Sequence, residues 1–212
     1  MMPSLYGRGP TGSSNAASIL RFGLRFLLAA LAVGAAAPAA AEPRLTAGTG
    51  ELTLAGGYSI SHAVSGTREG ITGFQLLPHL GLFVTDEHGP RWVRGSLELL
   101  AEPTVLHLDA RESTTHVGLS ALARWVFAGE GWVRWYLEAG LGLIVGESGL
   151  PQTNCDANFI LQAGAGVLLF WSETYAVNLG YRFHHISNGA VCFPNPGLNS
   201  AVFTLGLSAF FR

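Results

Sequence analysis

The chain has 212 residues, 49% of them hydrophobic and only 12% charged, with a formal net charge of −2 and no lysine. The slightly acidic balance and the lack of any basic run exclude a nucleic-acid binder. Past the first forty or so residues no stretch reaches the ~20 consecutive apolar residues of a membrane helix, which excludes a helical membrane protein as well.

The N-terminal segment has the layout of an export signal. Arg21 and Arg25 precede an apolar run from Phe26 to about Ala37, and Pro38-Ala39-Ala40-Ala41 supplies the small residues before a cleavage site. Residues 1–41 therefore read as a cleaved signal peptide, and residues 42–212 as one domain. An exported, apolar chain without membrane helices points to an all-β fold. The expected form is an eight-stranded antiparallel transmembrane β-barrel of the outer membrane, whose strands show apolar residues only at alternate positions.

Period-two alternation marks the strands in order. The first, 51–61, puts Leu52, Leu54, Tyr58 and Ile60 on one face. The second, 71–85, sets Phe74, Leu76, Leu80, Leu82 and Val84 against Gln75 and His79. In the third, 91–106, Val93, Leu97, Leu99 and Val105 alternate with Arg94, Ser96, Glu98 and Glu102. The fourth, 115–127, opposes Val117, Leu119, Trp125 and Phe127 to Ser120 and Arg124. The fifth, 132–145, opposes Trp135, Leu137, Leu141 and Leu143 to Arg134, Tyr136 and Glu138. The sixth, 157–171, carries Phe159, Leu161, Val167, Leu169 and Trp171 opposite Asn158, Gln162, Gly164 and Gly166. The seventh ends Phe183, His185, Ser187 on one face with Arg182 and His184 on the other. The last presents Phe203, Leu205, Leu207, Ala209 and Phe211 together.

In a membrane barrel the apolar face meets lipid and the charged face lines a narrow lumen. Arg94, Arg124, Arg134 and Arg182 with Glu98, Glu102 and Glu138 would then form an interior ion-pair network. The connections alternate short and long, as periplasmic turns and external loops do. Trp92, Trp125, Phe127, Trp132, Trp135, Trp171 and Tyr175 gather beside the short turns as an aromatic girdle. Cys155 and Cys192 fall in external loops flanking adjacent strands. In an exported protein they read as a disulfide, with two free thiols as the alternative. His107, His116 and Asp109 flank one external loop, where solvated histidines fit the spacing better than a metal site does.

The chemistry is concentrated in Phe183-His184-His185-Ile186-Ser187-Asn188-Gly189. His185 and Ser187, two apart on a strand, project side by side. An imidazole beside a hydroxyl is the minimal unit that makes serine nucleophilic. The parity places them on the lipid-facing row at the external end of the strand, where polar groups cost free energy unless paired or used.

This His-x-Ser-Asn stretch, with Asn195-Pro196-Gly197 and a final strand behind it, resembles the lipid A 3-O-deacylase (PagL) family of outer-membrane esterases. The resemblance implies an eight-stranded barrel that hydrolyses the 3-linked ester of lipid A in lipopolysaccharide, without a cofactor. It implies Ser187 as nucleophile and His185 as general base. Asn188, with the backbone N–H groups of Gly189 and Ala190, would form the oxyanion hole. The family's glutamate, twelve residues after the serine, is Asn199 here. Asn199 would orient the imidazole without balancing its charge, and Asp156 is the one carboxylate weighed as a substitute. Partners on this reading are lipid A and outer-membrane lipids, with a homodimer left open. The alternatives are a catalytically degenerate barrel with a structural or interaction role, and an acyltransferase, which needs an interior acyl pocket.

Overall fold

The computed structural model describes residues 43–62, 70–110, 113–146, 155–193 and 195–212. The segment read as a signal peptide lies outside them, as do most residues of two external loops. Eight strands follow one another: β1 (Gly50–Ser61), β2 (Thr72–Phe83), β3 (Gly95–Asp109), β4 (Thr114–Phe127), β5 (Val133–Gly146), β6 (Ala157–Phe170), β7 (Tyr175–Ser187) and β8 (Leu198–Phe211). Each pairs antiparallel with its neighbours, and β1 pairs with β8 to close the barrel. Closure leaves no sheet edge unpaired, which is what a bilayer demands of a β structure.

The two faces divide as the alternation predicts. Leu54, Leu141, Leu161 and Leu207 point outward, each more than 60% exposed. Inside, Arg124 pairs with Glu51 (3.0 Å), Glu98 (3.3 Å) and Glu138 (3.0 Å). Arg182 pairs with Glu102 (2.6 Å) and with Glu138. His79 sits 3.5 Å from both Glu51 and Glu102. Apolar layers cap this charged middle. Leu45, Phe83, Tyr136, Leu168, Phe170 and Phe210 close the end of the short turns, and Leu106, Leu108, Ile144, Ile160, Ile186 and Leu198 close the other. Among the described residues the lumen is thus filled by side chains, as in other narrow barrels. Gly166 faces the Tyr136 ring, and a β-carbon there would overlap its phenol.

Three expectations need correction. Arg94 is not in the network, because β3 begins at Gly95 and the preceding residues form a turn. In that turn Val93 N–H donates to the Pro90 carbonyl at 2.9 Å, and exposed Arg94 pairs with Glu87 at 3.4 Å. Arg134 is buried but binds the carbonyls of its own turn, Gly131 (2.9 Å) and Val133 (3.0 Å). Trp132 packs against the inner apolar layer rather than joining the girdle. Trp171 and Tyr175 do stack on the outer wall, with centroids 6.0 Å apart.

One seam differs from the others. Between β2 and β3 the ladder stops after Leu76↔Val105 and resumes at Leu80↔Ala101. That register sets Pro78 opposite Pro103, and neither has an N–H to donate.

Candidate active site on the outer wall

β7 and β8 are laddered from Tyr175↔Ala209 to Ile186↔Leu198, which places His185 directly opposite Asn199. Across the other seam of β7, Leu161 of β6 faces His185 and Phe159 faces Ser187. Strand parity turns His185, Ser187 and Asn199 outward together, at the end of the barrel where the long loops lie. The three join in a chain of hydrogen bonds. His185 Nδ1 lies 2.7 Å from Asn199 Oδ1, and His185 Nε2 lies 3.0 Å from Ser187 Oγ. An amide oxygen only accepts, so the ring proton belongs on Nδ1. Nε2 then keeps its lone pair and accepts the hydroxyl proton of Ser187. This is the tautomer a general base requires. Because Nδ1 is taken by Asn199, Asp156 has no place as the orienting group.

The segment after Ser187 is shaped by long-range ties. A disulfide joins Cys155 to Cys192, with Cα atoms 5.8 Å apart. Asn188 is buried, unlike the outward row before it. Its Nδ2 donates to the Cys192 carbonyl at 3.0 Å, and its backbone N–H donates to Asn195 Oδ1 at 3.1 Å. Asn188 is thereby tied into the loop through its backbone N–H and one of its two Nδ2 hydrogens, and the second side-chain N–H is left for the expected oxyanion hole. Gly189 and Ala190 are exposed and adopt left-handed backbone, φ 64° and 65°. Alanine in that region costs ~1–2 kcal/mol, a strain that folds keep where a backbone group must be aimed. The N–H groups of Gly189 and Ala190 are the candidate backbone donors beside Ser187.

Gly197, at φ 74°, packs under the imidazole. A β-carbon there would lie 2.8 Å from His185 Cε1. Gly197→Ala is therefore expected to push the ring off Ser187 and lower turnover by ~10²-fold, the usual scale for an ångström of misplacement. Ester-hydrolysis kinetics on the folded variant check this.

His107 and His116 do not form a pair. His107 lies exposed with Nδ1 2.9 Å from Thr115 Oγ1, whereas His116 is buried in the lumen, Nε2 3.0 Å from Thr114 Oγ1. The reading of His116 as a solvated loop residue is thereby overturned. Among the described residues no group of three or more His, Cys, Asp or Glu side chains is placed to hold a metal. Two contributions escaped the sequence: the Asn195 side chain bracing Asn188, and His62, which lies beside Asn199. Extending the outward parity of β1 two residues beyond Ile60 would have found His62.

Fold and site together define a class: a closed eight-stranded barrel of the outer-membrane type, with a hydrogen-bonded serine, histidine and asparagine on its outer wall. The family model for lipid A 3-O-deacylase (PagL) matches residues 78–208. The chain belongs to that family. Among solved structures, the outer membrane enzyme PagL aligns over 74% of this chain and 97% of its own, with a TM-score of 0.54 and 18% identity. Neisserial surface protein A aligns over 77% and 99%, with a TM-score of 0.58 and 16% identity. The N-terminal β-barrel domain of Pseudomonas aeruginosa OprF aligns over 78% and 98%, with a TM-score of 0.50 and 15% identity. At such identities these likenesses establish the fold. No curated protein sequence matches the chain.

Proposed function

We propose that this chain is an outer-membrane esterase that removes the 3-O-linked acyl chain from lipid A by serine hydrolysis, after export by residues 1–41. The observation that carries the reading is the outward-facing bond series from Ser187 Oγ through His185 to Asn199 Oδ1. A structural barrel gains nothing from a linked serine, histidine and asparagine on a wall that is mostly apolar. An enzyme whose substrate is itself a membrane lipid needs its nucleophile there.

In the first half-reaction Ser187 Oγ attacks the ester carbonyl as His185 Nε2 takes its proton. The N–H groups of Gly189 and Ala190 donate to the developing oxyanion, each such donor contributing ~3 kcal/mol. The imidazolium returns the proton to the departing sugar hydroxyl, leaving an acyl-serine. Water, deprotonated by His185, then releases the fatty acid and restores Ser187. Asn199 holds the ring and its tautomer throughout without supplying countercharge. Phe159, beside Ser187, and Leu161, beside His185, offer apolar wall to the acyl chain. The charged side chains that fill the lumen among the described residues, Arg124 and Arg182 with their glutamates, speak against the acyltransferase alternative, which needs an apolar interior pocket.

Lipid A from cells expressing the chain is expected to lose one 3-linked acyl chain by mass spectrometry. An unchanged lipid A would favour the second reading, a barrel without turnover, to which the uncharged Asn199 lends weight. Asn199→Asp discriminates further. A carboxylate 2.7 Å from Nδ1 would balance the charge of the imidazolium as well as orient the ring, so turnover should rise by about 10- to 10³-fold.

A further inference from the structure

The outer wall of this barrel is built up around Asn199. Leu205 and Leu207, farther along the outward row of β8, are 51% and 62% exposed. Asn199 and Ala201 share that parity, yet they are 5% and 2% exposed, and outward Ile60 of β1 is 8% exposed. Something covers them. Part of the cover is His62, the first residue after β1. Its backbone N–H donates to the Asn199 carbonyl at 3.0 Å, and its Nδ1 lies 3.2 Å from the same oxygen. A carbonyl only accepts, so Nδ1 carries the proton. The ring reaches across β8 to meet Phe183 of β7 edge-on, with centroids 5.6 Å apart. Ala201, which the register places beside both Phe183 and Ile60, is small enough to let it cross.

We infer that His62 is a positioning residue of the hydrolytic site: it fixes the backbone of Asn199 and shields the Asn199–His185 hydrogen bond from the surroundings. This inference rests on the esterase reading above. Barrel closure does not need the imidazole, because β1 and β8 are already paired from Gly50↔Phe211 to Ser61↔Ser200. The site does need it. A carboxylate can orient imidazole through either of two oxygens and by charge, whereas an amide offers one acceptor atom, so its position is its whole contribution. A hydrogen bond kept dry is also stronger than one open to water. His62 thus supplies rigidity and cover where the chain lacks a carboxylate.

The test compares His62→Ala, His62→Asn, Asn199→Ala and the double variant in the refolded barrel, with purified lipid A as substrate. Asparagine places an N–H donor where His Nδ1 stands. His62→Ala is expected to lower kcat about tenfold with KM little changed, and His62→Asn to recover most of that loss. In the Asn199→Ala background, removing His62 should add less than about twofold, since the two act as a unit. Nitrogen-15 NMR of the His185 imidazole, assigned by its loss in His185→Gln, gives a readout independent of turnover. The wild type should show the proton held on Nδ1, and His62→Ala should loosen it. An unchanged kcat in His62→Ala, a failure of His62→Asn to recover, additive losses, or an unaltered His185 signal would each overturn the inference. A wild type that shows the fixed tautomer but releases no acyl chain would overturn the esterase reading instead. Should His62→Ala not fold, His62→Phe keeps the cover and removes only the donor, and the same comparison with His62→Asn decides.

Discussion

Replacing Ser187 with alanine is expected to cut lipid A deacylation by a factor of ~10⁴–10⁶, the scale on which hydrolases that work through a serine lose rate with the nucleophile. The whole covalent route passes through one oxygen. Without Oγ, His185 Nε2 retains its lone pair but has no serine hydroxyl to deprotonate, and water must attack the ester directly. What survives is binding plus the backbone donors of Gly189 and Ala190. The barrel itself should be untouched, because Ser187 meets Phe159 in the strand register through its main chain and its hydroxyl is not part of the packed lumen. His185→Ala should cost a similar factor, and the double variant little more, since both residues serve one proton transfer. Acyl release measured over time, with the heat-dependent gel mobility of the folded barrel as control, reads out both. A Ser187→Ala variant that still deacylates at the wild-type rate would place the nucleophile elsewhere.

The second large effect lies away from the wall, in the interior of the barrel. Arg124 is the hub of the lumen. It bonds three glutamates and lies over the Tyr136 ring, its guanidinium carbon 4.4 Å from the centroid. Arg124→Met would leave Glu51 and Glu98 without their guanidinium partner, and Glu138 with Arg182 alone. Removing one partner from such a buried cluster costs ~3–5 kcal/mol, a large share of a small barrel's stability. Unfolding in urea should show the loss directly. Glu98→Gln makes the contrast. Four carboxylates face two guanidiniums and one imidazole here, so the acidic groups outnumber the basic ones. Glu98 makes the longest of the Arg124 contacts, and its Oε1 has no hydrogen-bond partner. Its neutralisation should change stability by less than ~1 kcal/mol, or raise it. Equal losses from the two substitutions would contradict the hub role given to Arg124.

Period-two alternation carried most of the architecture. Eight apolar rows, separated by turn signals, correspond to eight strands, and parity alone turned positions 185, 187 and 199 to the same side. Parity does not say which residues face each other. That His185 meets Asn199 depends on the register set by the β7–β8 connection, whose shape comes from contacts distant in sequence. The Cys155–Cys192 bridge and the Asn195 brace draw the loop back, and with the Cys192 carbonyl they tie the Asn188 backbone N–H and one of its side-chain hydrogens into it. Arg94 was misplaced for a local reason: Gly89-Pro90 opens a turn long enough to consume Trp92 and Val93 before β3 begins. Glu51 was legible, since its neighbours Leu52 and Leu54 point outward. It lies so near the strand start that its place beside Arg124 shows only once the barrel is closed.

The facing prolines of β2 and β3 have a mechanical consequence. A wall held by a continuous ladder resists bending, and where Pro78 and Pro103 interrupt it the sheet is locally hinged. As the bilayer squeezes and relaxes, distortion of the cylinder concentrates at that soft line. It lies three strands from the β7–β8 seam by the shorter way round, almost diametrically across the barrel. The stiff arc is therefore the one that carries the serine, the imidazole and the amide, and the compliant arc absorbs the strain on its behalf.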